Sequence, residues 1–192
     1  MSLSKLESII LYEELLHKIN DLTTQIKQEY PDQINCKIEC CECCNNIFNI
    51  SIIEGYYLQE GFDKLDQETI NIVKDNALSI KEQITFQHKD KIDLKCPLLI
   101  NNKCVIYDYR PIICRTFGSP MLDEKSGQIA TCNLNFQNMR DKEYSLKTIS
   151  SKMLSTQTVL LSQYLLREKG KDIPDDYVPP LYSVLEIIIS EI

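Results

Sequence analysis

Residues 36–44 read CKIECCECC, five cysteines within nine positions. Neighbouring side chains along such a run point in too many directions to enter one apolar core, so burial as small hydrophobes does not account for it. A disulfide framework fits poorly too. Lys5, Glu7, Glu13, Glu14 and His17 interrupt any apolar run in the first thirty residues, so neither a secretory leader nor a membrane span is expected there. The expected location is the cytoplasm, where thiols are held reduced, and 192 residues with 43% apolar content can build a core without staples. Ligation of a metal by thiolates is the reading that remains, and it makes this stretch the organiser of the fold.

The other cysteines lie in a region with no sustained hydrophobic period. Residues 92–138 hold Cys96, Cys104, Cys114 and Cys132 together with Pro97, Pro111, Gly118, Pro120 and Gly127. Irregular structure needing an external staple is expected there. Around it the periodicity is helical. Ile9, Tyr12, Leu16, Ile19 and Ile26 predict a helix over 4–29, stopped by Pro31. Ser51-Ile-Ile-Glu54 reads as a capping box opening a short helix from about 52 to Gly61. Asp66 caps a third helix marked by Ile70, Val73, Ala77, Ile80 and Ile84 and running to about His88. Leu146, Ile149, Met153, Leu160 and Tyr164 mark a fourth, ending near Gly170, and Pro179-Pro180 introduces a last one through LYSVLEIIIS.

The expected fold is therefore mainly α: a single domain over 1–192, with flanking helices at 4–29 and 142–191 around a loop-rich cysteine centre at about 36–132. Net charge of −7 argues against a nucleic-acid partner, because phosphate affinity comes from clustered Lys and Arg. No membrane partner is expected either. One window runs the other way: Lys95, Lys103, Arg110 and Arg115 face only Asp108 within 95–115, among three of the cysteines.

Eight thiolates are the ligand candidates: Cys36, Cys40, Cys43, Cys44, Cys96, Cys104, Cys114 and Cys132. They make two sets of four. Adjacent Cys43 and Cys44 suit two metals, or two irons of one cluster, better than one ion, because successive side chains diverge. Thiolate-rich sites take zinc or iron–sulfur clusters. No pair of CxxC knuckles stands at ribbon spacing, and His17 and His88 sit in helical patterns away from the cysteines, as surface residues. Cys96-Pro97 echoes the Cys-Pro of ferredoxin motifs, which favours an iron–sulfur cluster, [4Fe–4S] first, over zinc.

The block CCECC at 40–44, then ISIIEGYYL, then CPLLINNKCVIYDYRPIICRTFG and Cys132, resembles the YkgJ family of cysteine-cluster proteins, described as zinc- or iron-chelating domains with a CxxCxxCC signature. The resemblance covers roughly 36–132. Two positions depart from it. The family's first cysteine would fall at Lys37 but stands at Cys36, and the family commonly has glycine where Cys41 stands. The resemblance thus leaves Cys41 outside the ligand set.

Tyr107, Arg110 and Arg115 are candidates for the surroundings of the metal. Four thiolates around a divalent ion carry a net charge of about −2, which nearby arginines offset while donating hydrogen bonds to sulfur. Salt bridges to acidic residues are the plain alternative for both arginines. No activity follows from the residues, since no Ser-His-Asp set, Cys-His pair or carboxylate pair stands out. Two other functions remain open. Cys36, Cys40 and Cys43 match the CxxxCxxC of radical S-adenosylmethionine enzymes, and flagellin lysine methylases carry a similar cysteine motif, so an S-adenosylmethionine-dependent or redox enzyme is one. A structural zinc module presenting helices to a protein partner is the other.

Overall fold

Tyr12, Leu16, Ile19 and Ile26 form one buried stripe along the first helix, α1, Glu7–Glu29, as the apolar spacing predicts. The computed structural model of the chain describes residues 6–36, 40–86, 95–137 and 146–190. The fold is mainly α, with six α-helices and short strands among the described residues. None of these helices is long and apolar enough to cross a membrane. The chain divides into two compact units, one drawn from Met1–Ile38 and Ile112–Pro179, the other from Glu39–Pro111 and Pro180–Ile192.

In the first unit α1 packs against α5, Ser151–Glu168, and against the short α4, Ile112–Thr116. Leu6 precedes α1 without a capping side chain. The Glu168 carboxylate at the end of α5 substitutes, accepting from the amides of Glu7 at 3.0 Å and Ser8 at 3.1 Å. Strand β4, Met121–Asp123, pairs antiparallel with β5, Gln128–Ala130, and parallel with β6, Ile149–Ser150.

The start of α5 corrects the sequence expectation. Ile149 is not helical but opposes Met121 in β6, and the Ser150 hydroxyl caps α5 by accepting from the Met153 amide at 2.9 Å. Leu154, Leu161 and Leu165 are the buried residues of α5, which packs on α1, while Met153 and Leu160, expected on the buried stripe, stand 43% and 53% exposed. Nor does helix fill 142–191. Residues 142–145 fall outside the described ones, α5 ends at Glu168, and the last helix starts only at Val184.

The second unit is built on α2, Ile52–Phe62, α3, Gln67–Phe86, and α6, Val184–Ser190. Both α2 and α3 pack on α6. Ser51 and Glu54 form the expected capping box at α2, and Asp66 caps α3 by accepting from the Thr69 amide at 2.8 Å. His88, the expected end of α3, lies outside the described residues. Strand β1, Asn49–Ile50, pairs antiparallel with β7, Tyr182–Ser183. A second reciprocal cap opens α6: the Ser183 amide donates to Glu186 at 2.7 Å and the Glu186 amide to the Ser183 hydroxyl at 3.1 Å. Ser-Val-Leu-Glu is the same sequence signal as Ser-Ile-Ile-Glu, and it was hidden behind Pro179-Pro180.

Candidate metal centre

Cys43 and Cys44 sit in a 3-10 turn, Glu42–Asn45, in which the Cys44 amide donates to the Cys41 carbonyl at 2.8 Å. Although successive side chains diverge, these two sulfurs stand only 4.0 Å apart. Two thiolates at Zn–S distances of about 2.3 Å on one tetrahedral ion are separated by roughly 3.8 Å. The contact between the two thiols is thus close in length to the separation of two ligands on one metal.

Cys96 and Cys104 are held in place by the hairpin β2, Leu99–Ile100, and β3, Lys103–Cys104. Its two-residue turn, Asn101-Asn102, has φ of 51° and 59°, the left-handed pair that lets a tight hairpin follow the strand twist and that Asn tolerates better than most residues. The ladder pairs Leu99 with Cys104 and Ile100 with Lys103. At its base the Cys96 amide donates to the Cys44 carbonyl at 2.6 Å, joining the hairpin to the 3-10 turn.

Each hairpin cysteine accepts a hydrogen bond at sulfur from the amide two residues on, Leu98 for Cys96 and Ile106 for Cys104. Amides aimed at sulfur stabilise thiolate, as around metal-bound cysteine. Burial acts oppositely. It pushes the Cys96 thiol from an ordinary 9.0 to about 12, with the charges of Cys104 and Cys43 adding to the rise, and it raises Cys104 likewise. The Cys43 thiol is raised first by its hydrogen bond with Cys44 and then by burial. Arg110 opposes these shifts, since its charge reaches both Cys43 and Cys104 and favours their thiolates.

Arg110 is fixed by its neighbours. Its Nε donates to the Tyr107 carbonyl at 2.7 Å and its guanidinium carbon lies 3.4 Å from the centre of the Tyr107 ring. Tyr107 is therefore a platform for the arginine. Arg115 belongs to the first unit, where Nη1 donates to Asn20 on α1 at 3.3 Å.

The first unit carries Cys36, Cys114 and Cys132. Cys36 and Cys132 lie around Gly118, whose φ is 97° and where an added Cβ would meet Cys36 Sγ at 2.8 Å and Cys132 Cβ at 3.8 Å. Asn135 is buried between them. Its Nδ2 donates to Cys36 Sγ at 3.4 Å and to the Gly118 carbonyl at 2.8 Å, while its Oδ1 accepts from the Asn35 amide at 2.8 Å. Cys114 lies half-buried on α4. In the second unit Cys40 is half-buried, and Cys41 Sγ stands 3.9 Å from Asn102 Oδ1.

Among the described residues no three Cys, His, Asp or Glu side chains are already closed to metal-binding distances. The donor set nevertheless fits a thiophilic ion: four thiols grouped by backbone, two of them with amides aimed at sulfur, and one arginine nearby. His17 is exposed, as expected, and His88 lies outside the described residues. Sequence reasoning missed Asn135 and the close approach of Tyr109 to Gly61, where an added Cβ would stand 2.5 Å from Tyr109 Cβ. Neither had a spacing signal, because each partner is brought in from far along the chain.

The family model described as "CxxCxxCC: Putative zinc- or iron-chelating domain" matches residues 35–145. The chain belongs to this family, and a metal-chelating domain is what the cysteine-bearing structure represents. No curated protein and no solved structure matches the chain.

Proposed function

We propose that Cys43, Cys44, Cys96 and Cys104 bind one metal ion as thiolates and that this centre holds the cysteine-bearing loops of the second unit in place. The 4.0 Å separation of the Cys43 and Cys44 sulfurs carries this reading, because it fits one edge of a single-metal tetrahedron. Corner ligands of a [4Fe–4S] cube each hold a different iron and stand farther apart. Zinc is thus the first choice and an iron–sulfur cluster the second, the latter supported by the iron-chelating description of the family and by Cys96-Pro97.

Cys36 and Cys132 form a further thiolate group in the first unit, with Asn135 orienting the Cys36 sulfur. Cys40 and Cys114 complete the proposed set of eight, and Cys41 stays outside it. The role is structural, in a reducing cytoplasmic setting. The short strand pairs and lone hairpins support this over a barrel-type S-adenosylmethionine enzyme, whose cofactor needs an enclosing sheet.

Anaerobic purification, elemental analysis and a visible spectrum test the reading. Colourless protein with bound zinc is expected; brown protein with iron and acid-labile sulfide selects the cluster. Fully folded protein with reduced thiols and no metal would refute both.

A further inference from the structure

Asn135 is buried, 3% exposed, and both polar atoms of its side chain are committed. Its Oδ1 accepts from the Asn35 amide at 2.8 Å, while its Nδ2 donates to the Gly118 carbonyl at 2.8 Å and to Cys36 Sγ at 3.4 Å. The two backbone partners fix which way the side-chain amide points. An N–H at Asn35 requires the oxygen and a C=O at Gly118 requires the nitrogen, so the side chain meets the Cys36 sulfur with a donor and not with an acceptor. The surrounding backbone holds this arrangement. The Asn135 amide donates to the Cys132 carbonyl and the Phe136 amide to the Gln33 carbonyl, both at 2.9 Å, tying the segment after Cys132 to the one before Cys36.

Gly118 leaves the room for it. A Cβ there would stand 2.8 Å from both Cys36 Sγ and Asn135 Nδ2, closer than real atoms approach, and the φ of 97° is one that residues with a side chain rarely adopt. The same point lies 3.8 Å from Cys132 Cβ, so both cysteines border one space.

We propose that Asn135 is a positioning residue for a metal-bound Cys36 thiolate: its buried N–H, aimed by Asn35 and Gly118, fixes the sulfur at the space that Cys132 also borders and takes up part of its negative charge. This rests on the reading of Cys36 as a ligand given above, and adds to it the group that tunes the metal–sulfur bond. A donor suits a sulfur that keeps negative charge, and such outer partners set the orientation of a ligand and the affinity for its metal.

The test uses the full chain loaded with cobalt(II), read by competition with a chelator and by the sulfur-to-cobalt charge-transfer band. Asn135→Asp keeps the acceptor for Asn35 but turns an oxygen toward the sulfur. It should weaken binding about tenfold, as is typical for groups around the ligands, and move the band to longer wavelength, because a sulfur without the donor gives up charge to the metal more readily. Cys36→Ser should remove part of the band, and adding Asn135→Asp to it should cause no further shift. Should Asn135→Asp not fold, Asn135→Ser, which also removes the amide, takes its place with the same expected result. Unchanged affinity and an unmoved band in the folded variant would overturn the proposal. Weaker binding with the band unmoved, complete loss of cobalt, or a shift that persists beside Cys36→Ser would overturn it equally, since each means that Asn135 acts through folding alone. A Cys36→Ser protein with wild-type affinity and spectrum would end the reading of Cys36 as a ligand, whereas losses in Cys36→Ser beside an unmoved band in Asn135→Asp end only this one.

Discussion

The amide of Cys96 donates to the carbonyl of Cys44 at 2.6 Å, so two cysteines separated by more than fifty residues are tied by backbone before any metal arrives. This bond brings the hairpin cysteines to the 3-10 turn. On the four-thiolate reading proposed above, metal binding would therefore cost less ordering entropy than it would on an unstructured chain.

Ligand substitution should separate the cysteines sharply. Cys43→Ser, Cys44→Ser, Cys96→Ser and Cys104→Ser should each lower metal affinity by more than the ~10–100-fold typical of groups outside the ligand shell. Cys41→Ser should leave it nearly unchanged. Metal content by elemental analysis and a chelator competition measure the difference, and equal losses at Cys41 would show the ligand set to be misassigned.

Burial of Cys96 ties the stability of the metal-free protein to alkaline pH. Its thiol is raised from 9.0 to about 12, so the folded state holds the proton more tightly than the unfolded chain. The contribution is fully present below pH 9 and is lost as pH rises from 9 toward 12, amounting to about 2 kcal/mol near pH 10.5. On the four-thiolate reading, metal affinity should run the opposite way and fall with acidification, because the raised thiols of Cys43, Cys96 and Cys104 would have to release protons to bind. Urea unfolding in chelator at two pH values reads the first effect. Cys96→Ser should lack that slope, and an identical slope in both proteins would rule Cys96 out as its source.

The Asn101-Asn102 turn offers a test of the hairpin. With φ of 59° at Asn102, Asn102→Gly should stabilise or leave stability unchanged, while Asn102→Val should cost about 1–2 kcal/mol and weaken metal binding with it. Thermal unfolding with and without metal distinguishes these outcomes; tolerance of valine would mean that the turn does not set the position of Cys104.

Removing the metal should loosen the cysteine loops and not the helices. Trypsin should gain access to Lys103 after chelation, while cutting at the exposed Lys125 between β4 and β5 stays independent of metal. Far-ultraviolet helicity should largely persist. Equal protection of Lys103 with and without metal would show that the centre does not staple this loop.

The helices were legible because their signals are local. Tyr12 to Ile26 repeat at helical spacing, and Ser51 with Glu54 names its own cap. Position 149 was misread because its apolar side chain fits the helical spacing, whereas its pairing with Met121 in β6 depends on a residue far along the chain; Leu160 and Leu161 are both apolar, so two phases one residue apart fitted the spacing equally well. Residues 92–138 were expected to be irregular, yet they carry two hairpins and α4. Strands of two or three residues are too short to show a period of two. The cysteines announced themselves by density, but their grouping did not. It depends on the Cys96–Cys44 bond and the Gly118 turn, which join positions far apart in the chain.

X-ray absorption at the metal edge of anaerobically purified protein tests the central claim most directly. In a variant carrying Cys36→Ser and Cys132→Ser, the account predicts a shell of four sulfurs at about 2.3 Å around a single metal ion. A shell of nitrogen and oxygen alone, or complete loss of bound metal in that variant, would contradict a centre built from Cys43, Cys44, Cys96 and Cys104.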